Sequence, residues 1–184
     1  MKIDIIIKEG KFVSKDFIKI FDKAKQKEFG AGPIKDFSKY HKDIFFILKI
    51  NKKVVSFGQL RPREINYLGK KYNILGLSNI ISLKKGKGYG KILMKHLLNY
   101  LKQKKKVGIG FCERKNDGFY KKCDLIVKKN LSKRFYFKPK NKAEKDYLKY
   151  FWKKDCDIIY FDKNRKIMPK ILSTKSKVLI KMVW

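Results

Sequence analysis

Residues 84 to 101, KKGKGYGKILMKHLLNYL, limit the folding of this chain more than any other stretch. An apolar, β-rich run, YNILGLSNIISL (72–83), feeds into a turn with three glycines and four lysines in eight residues. Beyond the turn, Ile92, Leu93, His96, Leu97, Tyr100 and Leu101 recur at helical spacing. A strand that passes through glycines into a helix aims successive main-chain N–H groups at one point, an anion site by hydrogen bonding and dipole together. Helix starts usually carry acidic side chains, yet Lys84, Lys85, Lys87 and Lys91 surround this one. The positive potential is therefore kept for an external anion, and a phosphate or pyrophosphate is the expected guest. A flexible lysine-rich linker would need neither Ile80, Ile81 and Leu83 before it nor an amphipathic helix after it.

Spacing excludes two common phosphate loops. The pattern G-x-x-x-x-G-K-[ST] fails because three residues, not four, separate Gly86 from Gly90, and Ile92 stands where a metal-binding hydroxyl is required. The dinucleotide pattern G-x-G-x-x-G fails because Lys91 occupies the third glycine position.

The surrounding pattern is a mixed α/β (α+β) one. Lys2 to Lys8 reads as a strand, and Ser14 offers an N-cap to an amphipathic helix carrying Phe17, Ile18, Phe21 and Ala24, which should stop near Gly30. A short second helix is expected around Ile34 to Tyr40. DIFFILKI (43–50) and KVVSFGQL (53–60) flank Asn51-Lys52 as a hairpin, and EINYL (64–68) with the 72–83 run forms a second one about Gly69-Lys70. VGIGF (107–111) follows the helix and is expected to lie parallel to the strand before the loop. The remainder alternates a helical patch (Ala143 to Trp152) with strands at Asp157 to Phe161 and Val178 to Trp184, joined by lysine-rich connectors at 128–142 and 162–176. The aromatic residues Phe135, Tyr136, Phe137, Tyr147, Tyr150, Phe151 and Trp152 are expected in the core.

The loop residues Lys85-x-x-Gly88-x-Gly90 resemble the Q/R-x-x-G-x-G/A motif of the GCN5-related N-acetyltransferase (GNAT) superfamily, and GFYKKCDL (118–125) resembles its second, FY-basic motif, in the right order. The resemblance implies a central, mostly antiparallel mixed sheet flanked by helices, with parallel, splayed fourth and fifth strands. It implies acetyl-CoA as co-substrate, with Lys85, Gly86, Lys87, Gly88, Tyr89, Gly90 and Lys91 around its pyrophosphate and the main chain at Ile80 and Ile81 along its pantetheine arm. Tyr120 falls where the family places the tyrosine that protonates the departing sulfur, and a phenol remains protonated at neutral pH. The implied activity is transfer of an acetyl group to a primary amine of a small molecule or a protein. Lysine for arginine or glutamine at 85, Asp124 for the glycine after Cys123, and Glu113 for asparagine depart from the family pattern.

No carboxylate stands among Leu77, Ser78, Asn79 and Ile80 to act as general base, which leaves Asp43, Glu64, Glu113 and the carboxylate of Trp184 as unranked alternatives to ordered water. An acidic acceptor pocket could draw on Glu144, Asp155 or Asp157.

Composition bounds the rest. The 184 residues are expected to form one domain, with a core over 1–127 and a C-terminal part, 128–184, completing sheet and acceptor site. Apolar runs fall short of the roughly 20 residues of a membrane span, so a soluble, cytoplasmic protein is expected. Cys112, Cys123 and Cys156 lack CxxC spacing and are expected reduced, and with only His41 and His96 a metal site has few ligands to draw on. The net charge of +33 would attract phosphate polymers non-specifically. A nucleic-acid- or ribosome-associated basic module, or a non-catalytic acyl-CoA sensor, is the alternative reading.

Overall fold

The structure is a computed structural model that describes residues 2–137, 142 and 156–181. Among these the strands are β1 (Ile3–Glu9), β2 (Ile44–Ile50), β3 (Lys53–Tyr67), β4 (Lys70–Ser82), β5 (Gly108–Glu113), β6 (Ile126–Lys128), β7 (Phe135–Phe137), β8 (Cys156–Phe161) and β9 (Val178–Ile180). The helices are α1 (Lys15–Phe29), α2 (Tyr89–Gln103), α3 (Asp117–Lys121) and α4 (Met168–Leu172). Two compact units emerge, Met1–Arg61 with Leu77–Leu97 and Pro62–Gly76 with Leu98–Trp184.

In the first unit β1 and β2 run antiparallel from Ile3 opposite Ile50 to Glu9 opposite Ile44, and β2 continues antiparallel onto β3. Asn51 and Lys52 both take positive φ, +47° and +67°, the conformation a two-residue hairpin turn needs to match strand twist. The Ser14 hydroxyl accepts the Phe17 N–H at 3.3 Å to start α1, and Gly30, left-handed at φ +63°, ends it. The helix sets Phe17 and Phe21 against Tyr40, Phe45 and Phe57, and the Phe21 ring meets the Tyr40, Phe45 and Phe57 rings edge-on at 5.3, 5.3 and 5.6 Å.

The expected helix over Ile34 to Tyr40 is reduced to one 3-10 turn, Ser38–Tyr40. Its residues are held by side chains instead: Asp36 accepts both the Ser38 N–H at 2.8 Å and the Ser38 hydroxyl, and Asp22 accepts the Ile34 N–H at 3.0 Å. Such local bonds offer the backbone an alternative to the helical ladder.

In the second unit the early part of β4 neighbours β5 in parallel, with the Leu75 N–H donating to the Val107 carbonyl at 2.9 Å. β5 pairs antiparallel with β8, and β8 with β6. The late part of β3 pairs with β9, which lies parallel to β7. Ile65, Ile109, Phe135, Ile158, Met168, Ile171, Val178 and Ile180 fill this unit's core.

Three sequence expectations change here. β3 is one strand of 15 residues where two were expected, running through Arg61-Pro62-Arg63. Its pairing with β2 ends at Leu60 and that with β9 begins at Ile65, so Pro62, which has no N–H to donate, falls in the gap between these two pairings. The connectors carry structure: β7 lies in 128–142 and α4 in 162–176. Asp162 accepts the N–H groups of Lys166, Ile167 and Met168 at 2.8 to 2.9 Å and so caps α4, and Arg134 donates to the carbonyls of Ile171 and Ser176. Phe135 and Phe137 are core and Tyr136 is exposed. The expected helix at Ala143 to Trp152, the residues Glu144, Tyr147, Tyr150, Phe151 and Asp155, and the end of the strand expected to reach Trp184 lie outside the described residues. All three cysteines lie outside any disulfide and are buried.

Candidate active site

The glycine turn and the end of β4 belong to the first unit. Gly86 and Gly88 are left-handed, at φ +77° and +75°, and a Cβ on either would meet nothing within 4 Å. Glycine is thus required there by backbone conformation, and the space beside it is open. The Gly88 carbonyl accepts the N–H groups of Lys91 and Ile92 at 3.0 and 3.2 Å, which makes it the start of α2 and leaves the Tyr89 and Gly90 N–H groups in the first turn, where the helix itself provides no acceptor. Lys84, Lys87 and Lys91 are exposed. The Lys85 ammonium is 2.8 Å from the Glu28 carboxylate at the end of α1, a solvent-exposed pair.

Sequence reasoning missed the conformation of Asn79. It takes φ +49° inside β4, a left-handed conformation that is uncommon within a strand. Beyond it, Ile80 and Ile81 face opposite ways. A Cβ on Gly58 would come within 2.5 Å of the Ile80 δ-methyl and 3.4 Å of Leu93 and Leu97, whereas Ile81 packs with Phe17, Phe45 and Phe57. The Ile81 carbonyl accepts the Ser56 hydroxyl at 2.9 Å. The available signal was asparagine itself, one of the few non-glycine residues that tolerate this region.

Tyr120 lies in the second unit, on α3. Its carbonyl accepts the Cys123 and Leu125 N–H groups at 3.0 and 3.2 Å, and its ring stacks edge-on against Phe119 at 5.0 Å. Burial, and then the neighbouring Cys112 and Cys123, push its hydroxyl well above the ordinary phenol value. Close by, burial and a hydrogen bond to Asp117, 3.5 Å away, push the Cys112 thiol up.

Asp157 stands opposite Cys112 in the β5–β8 register and is fully buried. Burial alone would raise its carboxyl, but the Asn130 N–H at 2.8 Å and Arg114 at 3.4 Å outweigh that and hold it below the usual carboxylate value. This structural commitment removes Asp157 from an open acceptor pocket. Three of the candidate base carboxylates are likewise engaged: Asp43, buried, pairs with Arg61 at 3.0 Å and accepts from Gln59 at 3.2 Å, Glu64 pairs with Lys181, and Glu113 with Lys115, while the carboxylate of Trp184 lies outside the described residues.

No curated protein matches the chain by sequence. Solved structures share its fold. An N-acetyltransferase of Staphylococcus aureus Mu50 is 11% identical, with 88% of this chain and 98% of that one covered and a TM-score of 0.55. A GNAT family N-acetyltransferase of Escherichia coli, YhbS, solved in complex with CoA, is 9% identical over 98% of this chain and 89% of that one, with a TM-score of 0.57. A protein of Enterococcus faecalis V583 is 18% identical over 66% of this chain, with a TM-score of 0.53, and there the chain spans only 32% of the longer protein. The sequence pattern of the acetyltransferase (GNAT) family matches residues 14–125, which takes in α1, the hairpins, the glycine turn, α2 and the Tyr120 segment. The chain belongs to the GNAT family.

Proposed function

We propose that the protein transfers the acetyl group of acetyl-CoA to a primary amine of a small molecule or a protein, by direct attack of the amine on the thioester. The open, left-handed glycine turn at the head of α2, ringed by lysines, is the observation that carries this reading. Its main-chain donors, open space and positive side chains suit a diphosphate. Lys85, Gly86, Lys87, Gly88, Tyr89, Gly90 and Lys91 would hold that diphosphate, and the main chain at Ile80 and Ile81 the pantetheine arm. The co-substrate supplies an activated acyl group. A main-chain N–H next to Ile80, re-aimed by the left-handed Asn79, would hydrogen-bond the carbonyl oxygen as negative charge develops on it.

The role of Tyr120 rests on its place in the GFYKKCDL motif. A hydroxyl pushed above the ordinary phenol value keeps its proton across the working pH range and can pass it to the sulfur as the C–S bond breaks. The incoming amine loses its proton to ordered water, since β4 carries no carboxylate from Leu77 to Ile80.

A second reading has one observation of its own. Lys102, Lys105, Lys106, Lys163 and Lys166 line a cleft of about 210 Å³ in the second unit, a place where a polyanion could dock. The two readings separate in one experiment, incubation with acetyl-CoA and a panel of amines with free thiol as readout. Amine-dependent thiol release that vanishes in Gly88→Asp supports the acetyltransferase. Failure to release thiol with any amine, together with no thermal stabilisation by acetyl-CoA at a hundred times a typical dissociation constant, where about 2.7 kcal/mol is expected, refutes it.

A further inference from the structure

Among the described residues β1 ends the strand order in the first unit, with β2 as its one neighbour, and its outer edge is exposed: Ile3 is 45% and Ile7 43% accessible. A seven-residue edge strand with four isoleucines is a ready template for another strand. Its hydrogen-bonding parity can be read directly. Gly10 N–H donates to the Asp43 carbonyl at 2.8 Å and Asn51 N–H to the Lys2 carbonyl at 3.0 Å, so the even-numbered residues bond to β2. Ile3, Ile5, Ile7 and Glu9 therefore turn their main-chain N–H and C=O groups outward.

We propose that two copies of this chain associate through β1, antiparallel, about a twofold axis at Ile6. Outward-bonding residues must face one another, which places the axis on a residue, and the two strands overlap most with it at Ile5, Ile6 or Ile7. An axis at Ile5 sets Lys2 against Lys8, and one at Ile7 sets Asp4 against Gly10 and Ile6 against Lys8. An axis at Ile6 pairs Ile5 with Ile7 and Ile3 with Glu9 through main-chain bonds, and brings Asp4 of each copy opposite Lys8 of the other. These are the close, non-hydrogen-bonded positions, where opposite charges attract most across an antiparallel pair. The same register continues the isoleucine stripe of one copy into that of the other. Charge matching thus selects both the occupant and the register. A seven-residue ribbon is small beside a standard interface of about 1,600 Å², so the dimer is expected to depend on concentration.

The test is sedimentation equilibrium over a concentration series near ~0.15 M salt, where a Debye length of about 8 Å screens repulsion between two chains of +33. A monomer–dimer equilibrium is expected, with Asp4→Lys and Lys8→Asp each weakening it on the order of tenfold. The double variant Asp4→Lys/Lys8→Asp restores the charge pairing and should restore the dimer. Ile5→Pro removes an outward N–H that β2 does not use and should abolish the dimer, with circular dichroism confirming the fold. A chain that stays monomeric at its highest soluble concentration overturns the proposal, as does a dimer that neither single charge reversal weakens or the double variant fails to restore.

Discussion

Gly88→Ala separates the backbone of the glycine turn from what the turn holds. Gly88 sits at φ +75°, where an alanine costs about 1–2 kcal/mol, offset by about 0.4–1 kcal/mol because alanine narrows the unfolded ensemble. A net loss of about 1 kcal/mol should lower the melting temperature by roughly 2–4 °C in a chain of this length. Apart from its chain neighbours, no atom of the described residues lies within 4 Å of the new methyl, so the substitution adds no clash among them. Any larger penalty must come from a ligand that uses that space. Calorimetric titration with CoA should therefore show affinity at least tenfold weaker in Gly88→Ala, about 1.4 kcal/mol, and Gly58→Ala provides the contrast, since its methyl would press on Ile80, Leu93 and Leu97 inside the protein. If Gly88→Ala shows the small melting shift and wild-type CoA affinity, the diphosphate does not lie in this turn and the reasoning fails.

Tyr120→Phe should lower kcat on the order of 100-fold or more with CoA affinity unchanged, and the wild-type rate should show no alkaline fall from this hydroxyl through pH 9, because burial holds it protonated; an equal loss in CoA binding would make Tyr120 a packing residue. The three cysteine thiols are all buried, so a thiol reagent should label none at pH 8 in the folded protein and three after denaturation, and rapid labelling of Cys112 in the folded protein would contradict its burial. Asp157→Asn should destabilise by about 2 kcal/mol at pH 7 in chemical denaturation. The folded-state value of Asp157 is depressed, so its contribution is present above the ordinary carboxylate value and is lost as pH falls through the folded one; the gap between wild type and variant should close in strong acid, and a gap independent of pH would rule the charge out as its source.

Much of the first unit was legible because its signals are local. Ser14 caps α1 and Gly30 ends it, Asn51-Lys52 makes the hairpin, and the glycines lead into α2 where the periodicity begins. What escaped depends on partners distant in sequence. Pro62 reads as a break until the gap between the pairings of β2 and β9 is known, and the stretch 162–176 reads as a loop until Asp162 and Arg134 are seen to bind it. The network about Asp157 was hidden because an acid in CDIIYF looks like an exposed strand residue until Asn130 and Arg114 converge on it. At the candidate site the glycines announced themselves by type, whereas Asn79 acts through a dihedral angle that a residue name does not report.

That angle also sets how this segment can evolve. A strand cannot lose a residue without rotating every side chain beyond it to the other side of the sheet, and here Ile80 and Ile81 would change faces. Point substitutions at position 79 are reachable one codon at a time, but loss of the position is not. Across relatives sharing only about a tenth of their residues, the length of this segment should be inherited more faithfully than its letters.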